Sequence, residues 1–384
     1  MIPSQSADNT REVVLRSIGK LSRCRARNLW FCILFLGFTP KHAAAQIIED
    51  KFGEHVPYHH EVRDIFFYDS QFGWIVVQNH DNDRSYVLET KDGGRTWGQH
   101  EAPHELLRIR FMTPKLGWAL RATDSNKRAL APIHLLSTVN GGADWRAVST
   151  KAITPSQPGS PEIIVSFAFI DKKHGWFVGT RGNNLGLVME TSDGGKSLTI
   201  LRGLSDRIGG CFGVIARYDV GIWIYGIGSV VHSTNLGRSW ETLDLEKLGT
   251  NSENFDVADG FFERDGRGWL VGHMAEASVL GTHDRGTSWS AVFASDMLAL
   301  NAVSFSNDSR GCAVGNSTQL VCTSDGGSTW SATDVLPPQE KGQPTEFYQI
   351  KLLDSGRGWL TSIDGHLYET LDGGQTWHGL DLLK

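Results

Sequence analysis

Short apolar segments recur along the chain between polar turns, in a pattern that predicts β-strands grouped in fours, labelled a to d. In the first group they lie at about Val62–Phe67, Trp74–Gln78, Tyr86–Thr90 and Thr96–His100. Runs of about four to eight residues between turn signals are typical of strands. Strand b begins at a Gly-Trp pair or a degenerate copy of it: Gly73-Trp74, Gly117-Trp118, Gly175-Trp176, Gly221-Ile222-Trp223, Gly268-Trp269, Gly311-Cys312 and Gly358-Trp359.

A polar motif, Thr/Ser-x-Asp/Asn-x-Gly-x-Thr/Ser-Trp, lies between strands c and d of each group. It first appears at Thr90–Trp97, and its last position recurs every 41 to 53 residues. A period in this range, filled by four short strands, predicts an all-β chain folded as a seven-bladed β-propeller. The Asp or Asn of the seven copies stands at Asp92, Asn140, Asp193, Asn235, Asp284, Asp325 and Asp372.

The residue types of this motif suit a tight turn. The Asp or Asn oxygen can accept hydrogen bonds from backbone N–H groups of the turn, and the Gly can adopt a positive φ. The Trp then begins the next strand as an apolar anchor. A calcium loop is the alternative, but each copy offers at most one central carboxylate, whereas Ca²⁺ takes about six or more oxygen ligands. We therefore predict structural turns, no metal site and no cofactor.

These motifs resemble those of the Asp-box (BNR) propellers, above all the photosystem II stability/assembly factor family. Besides the Asp boxes, the resemblance rests on Phe169-Ile-Asp171-Lys-Lys-His-Gly175-Trp176-Phe-Val178-Gly179 and on Gly268-Trp269-Leu-Val271-Gly272, and it spans about residues 62–384. It implies Asp-box turns between strands c and d, and a non-enzymatic scaffold that binds a protein partner or an assembling membrane complex. Repeat geometry is a strong signal for fold and a weak one for function.

The first 45 residues have the pattern of a secretory signal peptide. Basic residues precede the apolar run Leu29–Phe38, and Ala43-Ala44-Ala45-Gln46 provides a cleavage site. The run is shorter than the roughly 20 residues that span a bilayer, although an uncleaved anchor is the alternative. We therefore expect export to the periplasm or extracellular space, or to the thylakoid lumen if the source is photosynthetic.

Residues 46–384 are predicted to form one propeller domain. Residues 47–56 have the spacing of a strand d before the first blade, and we expect them to pair with the last blade, because open sheet edges are a liability. The predicted blades lie at about 62–100, 106–148, 163–201, 212–243, 257–292, 300–333 and 346–384.

The predicted mature chain carries 30 basic and 41 acidic side chains, a net charge of about −11. This balance argues against binding to nucleic acid, whose phosphate backbone attracts basic proteins. We expect a monomer that binds a protein partner, and glycan binding is the second possibility.

Three cysteines, Cys211, Cys312 and Cys322, follow the predicted cleavage site. Cys312 and Cys322 are equally far from Ser317, so a hairpin centred there would place them opposite each other. In an exported protein such a pair can form a disulfide. The alternative is two small core residues, with Cys312 at the usual Trp position. Cys211 has no counterpart and is expected to be a buried apolar residue.

Catalytic motifs of other Asp-box propellers do not stand out in this sequence. Sialidases carry an early Phe/Tyr-Arg-Ile-Pro motif, which Phe66–Tyr68 and Arg108–Arg110 approach without matching. Xyloglucan hydrolases use two propellers, whereas this chain has repeats for one. No metal-ligand spacing stands out, and His59-His60 is expected in the first interblade loop. No enzymatic activity is predicted; a glycan-active or glycan-binding protein, sialidase-like or xyloglucan-hydrolase-like, is the alternative.

The binding site is predicted on one face of the propeller. The c–d turns share a face with the a–b loops, and the b–c and d–a loops form the other face. The resemblance implies an arginine-rich surface, to which Arg84, Arg121, Arg128 and Arg181 would contribute from b–c loops. The alternative for each is ordinary solvated loop charge. Two carboxyl groups roughly 5 to 10 Å apart in a cleft would instead favour a glycosidase.

Overall fold

The structure, a computed structural model, confirms the prediction of a seven-bladed β-propeller. It describes residues 60–122, 133–149, 162–182, 184–244, 256–273, 278–295, 298–316, 319–334, 346–363 and 365–380. These residues form seven antiparallel sheets of four strands, and in every sheet the four strands are consecutive in the chain.

The first four blades contain sixteen strands, and a short helix, α1 (Arg202–Ser205), follows the third blade. The strands are β1 (His60–Phe67), β2 (Gly73–Asn79), β3 (Arg84–Thr90), β4 (Gly98–Ala102), β5 (Leu106–Phe111), β6 (Gly117–Ala122), β7 (Ile133–Thr138), β8 (Arg146–Ala147), β9 (Glu162–Phe169), β10 (Gly175–Arg181), β11 (Leu185–Thr191), β12 (Thr199–Ile200), β13 (Cys211–Arg217), β14 (Gly221–Gly226), β15 (Ser229–Ser233) and β16 (Glu241–Thr242).

The last three blades contain twelve strands. They are β17 (Asp256–Phe262), β18 (Gly268–His273), β19 (Val279–Thr282), β20 (Ser290–Phe293), β21 (Leu300–Phe305), β22 (Gly311–Gly315), β23 (Gln319–Thr323), β24 (Ser331–Asp334), β25 (Phe347–Leu352), β26 (Gly358–Ser362), β27 (Leu367–Thr370) and β28 (His378–Leu380).

The strand ends of the first blade differ from the sequence prediction by one or two residues, and two of these differences bear on predicted features. Strand d begins at Gly98, not at Thr96, because the N–H and hydroxyl of Thr96 are bound to Asp92 within the turn. His60, expected in a loop, begins β1 and pairs in register with Asn79. His59 lies outside the described residues.

The first strand of each blade lies next to the axis, because the first strands of successive blades contact one another. These contacts continue around the ring to β25, which contacts β1 and closes it. The last sheet takes all four strands, β25 to β28, from the C-terminal part of the chain. Residues 47–56, predicted to pair with that blade, lie outside the described residues.

At four blade junctions, tryptophans of the Gly-Trp pairs pack one blade against the next. The Trp on strand b stacks on a Phe at the end of strand a in the following blade. Such pairs contribute about 0.5–1.5 kcal/mol beyond the apolar area they bury. The last pair below joins blade seven to blade one, so ring closure uses the same contact as the interior of the ring. The ring centroids lie 3.7 Å apart in Trp74–Phe111, 4.1 Å in Trp118–Phe169, 3.8 Å in Trp269–Phe305 and 4.8 Å in Trp359–Phe67.

The same tryptophans support the Asp box of the following blade. A Cβ added to Gly94 in the first box would lie 2.2 Å from the Trp359 ring, and Gly94 has a φ of 82°. Glycine is therefore required both by the left-handed backbone and by the indole beneath it. In the second box, Trp74 Nε1 donates a hydrogen bond to the Gly141 carbonyl at 2.8 Å.

Blade six has Cys312 where the other blades have this tryptophan. Cys312 faces Cys322 across β22 and β23, and the two form a disulfide with a Cα separation of 4.1 Å. The Cys312 sulfur would lie 3.5 Å from a Cβ added to Gly374 in the seventh Asp box. The disulfide thus occupies the place of an indole between blades six and seven. Cys211 is free and buried, and burial raises the pKa of its thiol to about 12.

Each Asp box is held by a hydroxyl at its start and by a carboxylate or amide at its centre. In the first box, Thr90 Oγ1 accepts from Gly94 N at 2.8 Å and donates to Asp92 Oδ1 at 2.9 Å. Asp92 accepts from the Thr96 N–H at 2.9 Å and from the Thr96 hydroxyl at 2.6 Å. The bond from the box glycine N–H to the first hydroxyl recurs in the boxes of Asn140, Asp193, Asn235, Asp284, Asp325 and Asp372.

Thr90→Val should lower the free energy of unfolding by about 1–3 kcal/mol, the typical cost of a buried N–H group without a partner. Thr90 is 1% exposed and Gly94 is buried, so water cannot replace the lost acceptor. Thr96→Val is the matched control, because Thr96 is exposed and should cost less than about 1 kcal/mol. Urea unfolding of both variants measures the difference. Equal losses would contradict this account of the turn.

The carboxylates of the Asp boxes make stability depend on pH. The Thr96 hydroxyl and N–H bonds lower the pKa of Asp92 from 3.8 to about 2, and equivalent bonds do the same for Asp193 and Asp325. A carboxylate whose pKa is lower in the folded state stabilises the fold above its unfolded pKa. That contribution is lost as the pH falls through the folded pKa. The loss therefore falls between about pH 4 and pH 2.

Replacing Asp92, Asp193 and Asp325 together by Asn should make the free energy of unfolding fall less steeply between about pH 4 and pH 2. Asn keeps the turn, as Asn235 does by accepting a backbone N–H at 2.9 Å and donating to a hydroxyl at 2.7 Å. Urea unfolding at several pH values in this range measures the slope. Asp354→Asn is the control for loss of an exposed surface charge. A triple variant with the wild-type slope would refute the role given to these carboxylates.

Candidate binding face and central channel

The predicted arginines lie at the b–c end of the blades, on the face opposite the Asp boxes. Arg84 begins β3, whereas Arg121 and Arg181 lie at or next to the ends of β6 and β10. Blades one, two and three therefore each place one arginine at this face. Arg128 lies outside the described residues.

Each of these three arginines is bound within its own blade or an adjoining connection, not to another of the three. The Arg84 side chain is 56% exposed, whereas that of Arg181 is 18% exposed. An exposed ion pair is worth at most about 1 kcal/mol, so Arg84 exchanges its partner most easily. The partners are Glu101 for Arg84 at 3.0 Å, the His104 carbonyl for Arg121 at 2.9 Å, and Asp206 together with the Gly186 carbonyl for Arg181.

A polar channel lies near the axis and opens on the same face. Its cavity has a volume of about 210 Å³ and is lined mainly by strand a of six blades. Glu61, near the start of β1, lies at its mouth with Ile363 and Gly365 of the b–c connection in blade seven. Because strand a begins after the d–a loop, this mouth faces away from the Asp boxes.

A β-bulge interrupts strand a of every blade beside this channel. In blade one it lies between Val62 and Asp64. Bulges re-aim the side chains next to them, and in blades one, five and seven the residue after the bulge contacts the following blade. The corresponding bulges lie between Leu106 and Arg108, Ile164 and Ser166, Cys211 and Gly213, Val257 and Asp259, Leu300 and Ala302, and Phe347 and Gln349.

At three blade interfaces, the side chain after the bulge accepts a hydrogen bond from strand a of the next blade. Strand a is an edge of its sheet, and edge strands carry N–H groups without a strand partner. The acceptor from the preceding blade satisfies one such group, and the last bond below joins blade seven to blade one. The bonds run from Ile109 N to Asp64 Oδ2 at 2.8 Å, from Val303 N to Asp259 Oδ2 at 3.1 Å, and from Ile65 N to Gln349 Oε1 at 3.1 Å.

Asp64 is the centre of a charged cluster in the channel. Its side chain is 2% exposed and lies 3.2 Å from Arg108 Nη1 and 2.9 Å from Arg110 Nη1. Gln349 Nε2 donates to it at 3.2 Å across the junction of blades one and seven. With the Ile109 N–H, the carboxylate accepts four hydrogen bonds. These bonds offset the cost of burying its charge.

A second acid, the half-buried Asp259, lines another wall of the channel. The Tyr225 hydroxyl donates to it at 3.0 Å. Burial raises the pKa of Asp259 and lowers the pKa of Lys351, whose ammonium is attracted by Glu263 and Asp259. The interior of the ring is therefore charged on both sides rather than uniformly apolar.

Charged residues in the first strands of the blades indicate this channel in the sequence, whereas the arginines of the b–c loops do not. Asp64, Arg108, Arg110, Asp259 and Lys351 are charged residues that lie among apolar residues in the first strands of their blades. Alternate residues of a strand lie on one face of its sheet, so charges at such positions mark a polar interior. The arginines predicted from the b–c loops identify only the rim.

No group of three or more His, Cys, Asp or Glu side chains is arranged to hold a metal ion within the described ranges. No helix in that same part of the chain is both long enough and apolar enough to cross a membrane.

Comparison with known proteins identifies the family. A family model described as photosynthesis system II assembly factor YCF48 matches residues 50–167, 160–252 and 246–381. The chain belongs to this family. The resemblance inferred from the Gly-Trp pairs and Asp boxes is thereby confirmed.

Two relatives carry the family's name. Photosystem II assembly protein Ycf48 of Synechococcus sp. (strain JA-2-3B'a(2-13)) is 26% identical over 302 residues, which cover 77% of this chain and 80% of the relative. Photosystem II assembly lipoprotein Ycf48 of Picosynechococcus sp. (strain ATCC 27264 / PCC 7002 / PR-6) is 24% identical over 307 residues, with the same coverage.

Solved structures of this family share the fold. The structure titled "YCF48 bound to D1 peptide" is 18% identical, with a TM-score of 0.56, and the match covers 83% of this chain and 95% of that chain. YCF48 from Cyanidioschyzon merolae is 17% identical, with a TM-score of 0.55 and coverage of 84% and 98%. At this level of identity the likeness bears on the fold alone.

Asp64→Ala should destabilise the protein by about 3–5 kcal/mol, because removing one partner of a buried ion pair leaves the other charge uncompensated. Arg108 and the Ile109 N–H lose their acceptor, and Arg110 keeps only the Ile109 carbonyl. Gln349→Ala is the control, because it removes a neutral side chain from the same cluster at a cost of about 1–3 kcal/mol. Urea unfolding at neutral pH measures both. A loss for Asp64→Ala no larger than for the control would show that the charge is not what stabilises the junction.

Proposed function

We propose that this chain is an exported, non-enzymatic scaffold that binds a protein partner, namely a segment of a membrane protein under assembly. The observation that carries the proposal is membership of the assembly factor family, with matches extending from residue 50 to residue 381. A relative is named a photosystem II assembly protein, and a solved relative is titled as bound to a D1 peptide. An extended peptide segment is therefore the ligand class proposed here.

Export is part of the proposal. The leader, residues 1–45, lies outside the described residues, but two other observations support its role. One relative is named a lipoprotein, and the disulfide between Cys312 and Cys322 suits an oxidising compartment. The compartment proposed is the thylakoid lumen in a photosynthetic source, and the periplasm or extracellular space otherwise.

The face opposite the Asp boxes is proposed to contact the partner. Arg84, Arg121 and Arg181 lie there, and Arg128 is assigned to the same face by its sequence position. Arg84 and Glu101 are 56% and 61% exposed, so an acidic residue of a partner can replace Glu101 at low cost. Charges at a rim govern association rate and salt dependence more than final affinity.

The state of the channel acids supports binding over hydrolysis. A glycosidase uses two carboxyl groups that act directly on the scissile bond. Asp64 accepts four hydrogen bonds from the protein. Asp259 accepts from the Tyr225 hydroxyl and the Val303 N–H. Both acids serve the ring itself, so we propose no glycan-directed activity.

The test is binding of a D1 peptide to the purified mature protein. Arg84→Glu combined with Arg181→Glu should weaken binding about tenfold or more at low ionic strength. The loss should shrink at high salt, because screening removes the long-range attraction. The matched control is Arg95→Glu with Arg238→Glu, which reverses two exposed arginines of the Asp boxes on the other face and should leave binding unchanged.

Circular dichroism and thermal melting establish that both double variants keep the wild-type fold. Wild-type binding by the Arg84 and Arg181 variant would remove the basic face from the proposal. If the wild-type protein fails to bind the peptide in any form, or if it cleaves sialosides or β-glucans, the proposed function is wrong.

A further inference from the structure

Two arginines in the channel keep hydrogen-bond donors that the protein does not use. Arg108 and Arg110 bind Asp64 through Nη1 at 3.2 and 2.9 Å, and Arg110 Nη1 also donates to the Ile109 carbonyl at 2.6 Å. Within the described residues, the Nε and Nη2 groups of both side chains make no hydrogen bond. A guanidinium carries five N–H donors in a planar fork, so each arginine retains one edge for an external acceptor.

These unused edges are accessible and held in place. Arg108 and Arg110 are 16% and 28% exposed, and both line the cavity of about 210 Å³. Asp64 fixes one end of each guanidinium, and the Arg110 group also lies 5.7 Å from the centre of the Phe66 ring. Such a cation–π contact restrains the plane of the guanidinium. Because the donors are already ordered, a ligand loses less free energy to side-chain ordering on binding.

The charge of the cluster selects the kind of ligand. Arg108 and Arg110 share one ion-paired carboxylate, Asp64, so this cluster of three side chains carries one positive charge in excess. The nearby Arg63 is paired with Glu61 at 3.1 Å. A ligand with a single negative charge and two acceptor oxygens matches this excess. Arginine binds carboxylates in this way, through two parallel N–H···O bonds.

The wall opposite Arg108 and Arg110 carries an acid, Asp259. Asp259 attracts Arg110 and Lys351, but burial raises the pKa of Asp259. Its oxygens also accept hydrogen bonds from Tyr225 and from the Val303 N–H. Asp259 is thus held by the protein itself, and the free donors of Arg108 and Arg110 remain the distinctive feature of the cavity.

We propose that Arg108 and Arg110 form a carboxylate-binding site in the channel, which takes the C-terminal carboxylate of a peptide or a small organic acid. The cavity of about 210 Å³ is smaller than the roughly 300–1,000 Å³ of sites for drug-sized ligands. One chain end or one small acid fits this volume, whereas an internal peptide segment would bring two lengths of chain through one opening. That the carboxylate belongs to a peptide rests on the proposed function, whereas binding of a small organic acid does not.

The first experiment needs no variant to establish the site. Wild-type protein is titrated with sodium acetate, and the Nε–H resonances of the arginines are followed by NMR. The resonances of Arg108 and Arg110 should shift with a common saturating dependence on acetate, while that of Arg238, exposed in an Asp box, should not. Inorganic phosphate at equal ionic strength should bind more weakly, because it carries more charge than the site can match. Absence of a saturating shift for acetate, or tighter binding of phosphate, would overturn the carboxylate assignment.

The second experiment tests the peptide source. A D1 peptide with a free C terminus should bind about tenfold or more tightly than the same peptide with an amidated C terminus. Combining Arg108→Lys with Arg110→Lys should reduce this preference to less than about twofold, because lysine keeps the charge beside Asp64 but lacks the fork. Arg63→Lys is the matched control in the same cavity and should keep the full preference.

The outcomes separate this site from the proposed function. Equal binding of the free and amidated peptides by the wild-type protein refutes the peptide source. A preference that survives in the double lysine variant, with its wild-type melting temperature, refutes the role of the two arginines. If neither peptide binds while acetate shifts the two arginine resonances, the proposed function fails and the site stands with a small acid as its ligand.

Discussion

A four-stranded sheet with two apolar faces cannot bury both of them alone, so each blade of this propeller must pack against two neighbours. The indole on strand b is the contact that meets this requirement. It stacks on a phenylalanine of the next blade and supports the glycine of that blade's Asp box, as Trp359 does with Phe67 and Gly94. The turn on one blade is therefore shaped by a side chain from another. In blade six, the Cys312–Cys322 disulfide takes the place of the indole and lies beside the Asp-box glycine of blade seven.

The axis of the ring has a different requirement, because the innermost strands are sheet edges with polar backbone groups. Bulges in strand a place Asp64, Asp259 and Gln349 where each binds the backbone of the following blade. These bonds carry charge into the interior, where Arg108 and Arg110 pair with Asp64 and keep further donors for the cavity. The side chains that accept hydrogen bonds from the N–H groups of the edge strands therefore also make the channel polar. The candidate site forms because the ring closes.

The two faces of the propeller differ in how their polar side chains are used. On one face, the polar groups of the Asp boxes are committed to the turns, as the bonds between Asp92 and Thr96 illustrate. The other face carries the mouth of the channel and the exposed Arg84 pair. Residues on that face can vary without disturbing the turns, and the fold is shared with a solved structure at 18% identity.

Blade number, strand order and turn chemistry could be predicted from the sequence, because the interactions behind them are local. An Asp box closes over four residues, as from Asp92 to Thr96, and a Gly-Trp pair marks strand b wherever it occurs. Cys312 and Cys322 are similarly close in sequence, on the two sides of one hairpin. The partners of Arg121 and Arg181 could not be read in this way, because each is set by how a connection folds back on its blade.

The channel was decided by the tertiary structure alone. Gln349 meets Asp64 across 285 positions of sequence, and only closure of the ring brings blade seven beside blade one. Charged residues in apolar strands indicate a polar interior, but they do not indicate which charges meet or which donors remain unused. The sequence by itself determined the strands and turns of each blade. The closed ring of seven sheets brings together side chains that are remote in sequence, and it therefore determined the channel.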